Sequence, residues 1–229
     1  MSEWYPVGNR YDLFILRKVH ENMKISTKVW DSRFKNEGKL FENPHEDIAA
    51  IASLLKEKGA RTVLDLGSGS GRHMVFLAKN GFCVFGLDNS PQGTRIAREW
   101  LAQEGLSADL HLQEMTEQLP YPDYFFDAVI SIQVIHHTRP AAIKKIIREV
   151  ARVLKESGFL FVSVPKEKTQ ANRFMEIEPY TFLPLDGPEK GLPHYYFTRQ
   201  ALEEFFAGFV ITDIHIDSTG HYCLSGFKR

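Results

Sequence analysis

The sequence has little cysteine: Cys83 and Cys223 are the only two in 229 residues. Two thiols cannot staple a chain of this length, and neither sits in a zinc-ligand spacing. A reducing compartment is the expectation. No charge of one sign dominates, because 28 basic and 29 acidic residues leave a formal net charge of −1. A dedicated nucleic-acid binder usually carries a basic excess, so the balance argues against one. No apolar run approaches the roughly 18 residues of a membrane-spanning helix. The first residues lack a basic start followed by an apolar stretch, so no signal peptide is expected. Together these absences read as a cytoplasmic chain. There is also no internal repeat and no low-complexity tract.

What is present is enough apolar side chain to build a sizeable core: 43% hydrophobic and 12% aromatic residues. The length suits a single domain over residues 1–229. The first 44 residues are aromatic-rich, with Trp4, Tyr5, Tyr11, Phe14, Trp30, Phe34 and Phe41, and end at Asn43-Pro44. Strands and helices then alternate. Helices are predicted over residues 48–58, 73–79, 91–104 and 141–154, and strands over 62–66, 83–87, 108–112, 125–131 and 159–164. Near-continuous apolar strands separated by helices indicate a parallel sheet covered on both faces. Gly158 is expected to end the last of these helices.

After Pro165 the alternation breaks. Residues 165–197 hold five Pro, two Gly and many aromatics, which predicts a long loop that acts as a lid. A helix capped by Thr198 follows. The runs 210–216 and 221–227 leave no room for a crossover, so they predict an antiparallel hairpin.

The most informative stretch is Val63-Leu64-Asp65-Leu66-Gly67-Ser68-Gly69-Ser70-Gly71. A strand runs into three glycines and a helix follows. Glycine allows the tight turn and lets a ligand approach the backbone, and the helix start offers free N–H groups. Asp88 closes the next strand, 17 residues after Gly71. A carboxylate there can accept two hydrogen bonds from a ribose diol. The spacing G-x-G-x-G departs from the dinucleotide fingerprint G-x-G-x-x-G, which argues against a nicotinamide dehydrogenase. Asp65 also puts a carboxylate near the turn, which suits a cation better than a pyrophosphate.

These residues, with FFDAVISIQVIHH (125–137) and REVARVLKESGFLFVSVP (148–165), resemble the class I S-adenosylmethionine-dependent methyltransferases, type 11-like. The resemblance covers about residues 45–165, and four motifs occur in the family's order. It implies an α/β, Rossmann-like fold: a seven-stranded, mostly parallel sheet, helices on both faces and an antiparallel C-terminal hairpin. It implies S-adenosylmethionine as cofactor and S-adenosylhomocysteine as product. Residue by residue, Gly67, Ser68 and Gly69 match the turn that packs on the methionine part, with Asp65 facing that region. Asp88 matches the ribose-binding acid, with Asn89 beside the adenine. Glu114 and Met115 match the pair lining the adenine. Ile132 and Gln133 match the positions flanking the methyl. Trp30 resembles a tryptophan that covers the cofactor in some small-molecule relatives.

Each residue also has a structural reading. Asp88-Asn89-Ser90-Pro91 is good capping chemistry, and Met115 can simply fill core. His136 and His137 follow the fourth strand and serve as base or substrate contact, or only as loop hydrogen bonders. Tyr180, His194, Tyr195 and Tyr196 form an aromatic lid over a substrate, or a satellite hydrophobic cluster. Lys166, Lys168 and Arg173, interrupted by Glu167, read as a solvated loop. The nine histidines are scattered along the chain, so no metal site is expected. The leading reading is in-line methyl transfer to a small-molecule nucleophile. The domain would then comprise an N-terminal cap (1–44) and an insertion (165–197) over the substrate site. An RNA or protein methyltransferase and a non-catalytic S-adenosylmethionine-binding protein are the alternatives. Small-molecule partners are expected, without membrane or nucleic acid. The composition does not give the oligomeric state.

Overall fold

Residues 25–166 and 173–229 are described in a computed structural model. Trp4, Tyr5, Tyr11, Phe14 and Lys168 lie outside them. A helix, α1, covers residues 25–37. Then follow α2 (Ile48–Glu57), β1 (Thr62–Leu66), α3 (Arg72–Lys79), β2 (Cys83–Asp88), α4 (Pro91–Gln103) and β3 (Asp109–Leu112). The chain continues through β4 (Phe126–Ile132), α5 (Pro140–Val153) and β5 (Leu154–Pro165). After β6 (Phe174–Glu178), β7 (Thr181–Pro184) and β8 (His194–Tyr195) come α6 (Arg199–Phe205), β9 (Phe209–Ile216) and β10 (His221–Lys228).

Seven strands form one sheet in the order β3-β2-β1-β4-β5-β10-β9. Strands β1 to β5 are parallel, and β10 runs antiparallel to both β5 and β9. Alternate residues of each strand go to opposite faces, as the period of two requires. Val63, Ala128, Ile130, Phe159 and Phe161 pack with Ile48, Leu55, Met74, Leu77 and Leu101 of α2, α3 and α4. Leu64, Leu66, Val129, Leu160 and Val162 pack with Ile143, Ile146, Val150 and Leu202 of α5 and α6. Both faces are therefore covered, and the apolar strand runs follow from that. The described residues include no helix long and apolar enough to cross a membrane.

The order fixes where a ligand can sit. From β1 the chain moves outward through β2 to β3, then returns to place β4 on the other side of β1. The loops leaving β1 and β4 therefore diverge and open a crevice at the carboxyl ends, the usual ligand position in such sheets.

Two expectations need correction. Gly158 does not end α5. Leu154 is already extended and begins β5, and the irregular pairing between β4 and β5 absorbs Ser157 and Gly158 within the strand. Residues 165–197 are also not a structureless loop, because β6, β7 and β8 form a three-stranded antiparallel sheet of their own. A short β8 and a tight turn at Tyr180 (φ 61°) hide this sheet in a Pro-rich sequence. Thr198 caps α6 as expected, accepting from the Ala201 N–H.

Helix α4 is capped by Ser90, whose buried Oγ accepts from the Gly93 N–H at 3.0 Å and donates to Asp31 of α1 at 3.1 Å. The same Asp31 oxygen accepts the Gln92 N–H at 2.7 Å, so the cap also docks α1. Ser90→Ala should cost about 1–2 kcal/mol. Urea denaturation measures it, and an unchanged midpoint would refute the role.

Candidate active site

A cavity of about 580 Å³ fills the crevice. One wall is the glycine turn. Gly67, Gly69 and Gly71 all have positive φ (81°, 54° and 92°), the left-handed region that favours glycine. The Gly67 and Ser68 N–H groups donate to the Leu87 carbonyl at 2.7 and 3.2 Å, tying the turn to β2. Ser68 is buried on this wall and its Oγ has no partner.

Asp88 ends β2 beside the turn. Its Oδ2 accepts the Gly69 N–H and its Oδ1 the Ser90 N–H, each at 2.8 Å. Binding and capping chemistry thus coincide in one side chain, and each carboxylate oxygen keeps a further lone pair for a ligand. Burial raises the Asp88 pKa against these N–H donors. Beyond it, Asn89 Nδ2 donates to Glu114 Oε1 at 2.8 Å, and Thr27 Oγ1 of α1 donates to the same oxygen at 2.9 Å. Burial also raises the Glu114 pKa. Met115 completes this end.

The opposite wall leaves β4 at Ile132 and Gln133. Gln133 has φ 60°, an uncommon conformation for a non-glycine residue and one that clusters at functional sites. Its N–H donates to the Ser163 carbonyl at 2.8 Å. His136 and His137 follow. The small sheet closes over them, because the Tyr195 N–H donates to the His136 carbonyl at 2.9 Å. That bond sets His194 beside both, with ring centroids 5.6 Å from His136 and 4.7 Å from His137. Trp30 of α1 lies 5.2 Å from the His137 ring. Burial pushes His136 well below the usual histidine range and His137 down to about 3, so both are neutral. Burial pushes the Tyr196 phenol up to about 12, so it keeps its proton.

Of the residues marked out in the sequence, Trp30, Gly67, Ser68, Gly69, Asp88, Asn89, Glu114, Met115, Ile132, Gln133, His136, His137, His194 and Tyr196 line the cavity. Three do not. Tyr195 packs into the core against Phe197 and Phe205, because residues alternate along β8. Tyr180 is an exposed turn residue. Asp65 lies buried beneath the turn, with Oδ2 unpaired and 3.8 Å from His73 Nδ1.

Asp65 carries the pH sensitivity of this region. Burial raises its pKa from 3.8 to about 7 against the pull of Arg72. A raised carboxyl stabilises the fold fully below its unfolded value, and that contribution is lost as pH rises through about 7. Asp65→Asn should therefore gain stability relative to the parent protein as pH rises from about 4 to about 7, the window between the unfolded and folded values. Urea midpoints across that range check it, and identical slopes would refute it.

Some site residues were missed. Glu189 accepts from Arg33 Nη1 of α1 at 2.9 Å and lies 2.8 Å from His194 Nε2. Burial raises its pKa, but the His194 hydrogen bond and neighbouring cationic groups hold it down to about 2. Arg139, at the start of α5, pairs with Glu178 of β6 at 2.9 Å. Neither pair has a local sequence signal, since Arg33 and Glu189 stand 156 residues apart.

The chain is similar to known methyltransferases in sequence and in fold. Residues 63–158 match a family model described as a methyltransferase domain. The chain is 30% identical over 118 residues to an uncharacterized methyltransferase of Bacillus subtilis, covering 51% of this chain and 46% of that protein. It is 32% identical over 140 residues to a ubiquinone biosynthesis O-methyltransferase of Xanthomonas axonopodis, covering 61% of this chain and 56% of that protein. The chain thus spans about half the length of the curated relatives it matches. Its fold is that of the Synechocystis magnesium protoporphyrin IX methyltransferase solved with bound S-adenosylmethionine. The TM-score is 0.68 at 16% identity, over 91% of this chain and 97% of that one. The glycine turn, the acid at the end of β2 and the strand that opens the cavity all lie within residues 63–158, the stretch that matches a methyltransferase domain, and the whole is set in a fold shared with solved methyltransferases.

Proposed function

We propose that the domain transfers the methyl group of S-adenosylmethionine to a small-molecule nucleophile by in-line displacement. The observation that carries this is a cavity with two chemically different ends. The glycine-turn end presents Asp88, Asn89, Glu114 and the unpartnered Ser68 hydroxyl, a donor and acceptor set that fits a nucleoside bearing a ribose diol. The lid end presents His136, His137, His194 and Tyr196.

Bound S-adenosylmethionine supplies an electrophilic methyl on a sulfonium. The chain's own task is to hold, align and dry. Asp88 takes the ribose hydroxyls, while Asn89, Glu114 and Met115 line the adenine. Gln133 and Ile132 flank the methyl, and Trp30 closes over it from α1. The lid sheet excludes water. Alignment of this kind supplies roughly 7–11 kcal/mol of barrier reduction. His136 and His137 face the nucleophile as neutral imidazoles.

Small substrates are favoured over RNA or protein because arginines around the lid are neutralised. Arg173 pairs with Asp186, Arg139 with Glu178 and Arg33 with Glu189. The B. thailandensis 1,6-didemethyltoxoflavin-N1-methyltransferase shares the fold, with a TM-score of 0.66 at 16% identity, over 99% of this chain and 93% of that one. Parallel calorimetric titrations with S-adenosylmethionine, S-adenosylhomocysteine and reduced nicotinamide dinucleotide test the cofactor. Micromolar binding of the first two alone is expected, followed by methylation of a small nucleophile in a radiolabel screen. Binding of the nicotinamide alone would overturn the reading. Cofactor binding without turnover of any acceptor would favour a non-catalytic binder.

A further inference from the structure

The lid end of the cavity is built more elaborately than a substrate wall requires. His136, His137 and His194 each offer a ring nitrogen, and all three lie within 4.8 Å of one another. His194 is oriented from both sides. Its Nδ1 lies 2.8 Å from the Leu192 carbonyl oxygen, and its Nε2 lies 2.8 Å from Glu189 Oε2. The other Glu189 oxygen is held by Arg33 Nη1 at 2.9 Å. His136 is only 4% exposed, and its Nδ1 has no partner. An unpaired polar group in that position costs about 1–3 kcal/mol.

Imidazole donors with a carboxylate suit a borderline-soft divalent ion. Ligands fixed by outer hydrogen bonds, such as His194 by Leu192 and Glu189 by Arg33, are the second feature of such sites. We infer that His136, His137 and His194, with Glu189 beside them, hold one divalent transition-metal ion of the zinc class at the lid end of the cavity. Nitrogens on a tetrahedral ion with bonds of about 2.1 Å stand roughly 3.4 Å apart. Loading therefore draws the three rings together by an ångström or so, which the half-buried His137 can supply.

The use of the ion in catalysis rests on the methyl-transfer reading above. A substrate hydroxyl or thiol that enters as a fifth ligand loses its proton to water. The resulting anion attacks the methyl carbon, and the carbon–sulfur bond breaks with its electron pair left on sulfur. The methyl acceptor is then an oxygen or sulfur atom.

The test uses tag-free protein dialysed against a chelator. Co2+ is titrated with visible absorption as the readout, and Zn2+ by calorimetry. One ion per chain at micromolar or tighter affinity is expected. His137→Ala and His194→Ala should each weaken binding about tenfold or more. Glu189→Gln keeps the shape of the side chain and should also weaken binding, which guards against an alanine variant that fails to fold. Cooperative melting by circular dichroism confirms folding in each case.

His45→Ala is the control, because His45, Asp47 and Cys223 form the other cluster of ligand atoms within 4.8 Å among the described residues. Its ion affinity should match that of the parent protein. Absence of micromolar binding, survival of binding in both histidine variants, or its loss in His45→Ala would overturn the site. S-adenosylhomocysteine titrated into the same samples separates the two readings. Cofactor heat without ion binding overturns the metal site alone, and ion binding without cofactor heat overturns the methyl-transfer reading alone.

Discussion

Asp88→Ala should weaken S-adenosylhomocysteine binding roughly 10- to 150-fold, the equivalent of about 1.5–3 kcal/mol of charged hydrogen bonding. The same substitution should lower stability, because the carboxylate also holds the Gly69 and Ser90 N–H groups. Each buried N–H left without an acceptor costs about 1–3 kcal/mol. Asp88→Asn restores at most one of these bonds, since its amide nitrogen meets an N–H donor where an oxygen stood. The fold should survive in both variants, as a cooperative melt would show. Ser90→Ala separates the two effects. It breaks the neighbouring cap without removing the ribose acceptor, so stability should fall while cofactor affinity stays near the parent value. Unchanged affinity in a folded Asp88→Ala protein would sink the ribose assignment.

Gly71→Ala should be strongly destabilising. Gly71 sits at the start of α3 with φ 92°. An added Cβ would lie 2.9 Å from the Ala97 Cβ and 3.1 Å from the Ala97 Cα, where α3 crosses α4. Backbone of a packed helix cannot rotate away as a side-chain tip can. The left-handed conformation costs an L-residue about 1–2 kcal/mol, and overpacking adds about 1–3 kcal/mol. The total, about 2–5 kcal/mol, is a large part of a typical domain's stability. The melting temperature should fall by on the order of 10 °C. Gly105→Ala is the comparison. Its φ is 67°, but nothing lies within 4 Å of the added carbon, so only the conformational cost applies. A Gly71→Ala protein that melts no lower than Gly105→Ala would show that the helix contact is not what demands glycine.

Much of this architecture was legible because the determining signals are local. The helices at 48–57, 91–103 and 140–153 follow from apolar residues at helical spacing, and strands β1, β2 and β4 from unbroken apolar runs. The glycine turn was legible for a related reason: successive positive φ angles beside a packed helix demand that residue type wherever it sits. Asp88 followed from its place at a strand end. The small sheet was not legible. Its strands are four or five residues long, or two in β8, and their pairing depends on partners up to 14 residues away, such as Thr181 with Tyr195.

The same division runs through the site. The sequence by itself determined the alternating α/β order and the glycine turn with Asp88 beside it, because each rests on residues adjacent in the chain or one strand apart. Only the tertiary structure decided the lid end. Histidines that look scattered along the chain converge because β8 hydrogen-bonds to the loop after β4, so that residues 136, 137 and 194 share one space. Glu189 meets Arg33 across 156 residues, and Tyr195 turns into the core while its neighbours face the cavity. Chain connectivity encodes local backbone conformation directly. Which distant side chains meet is set only when a strand finds its register, and that depends on the packing of the whole fold.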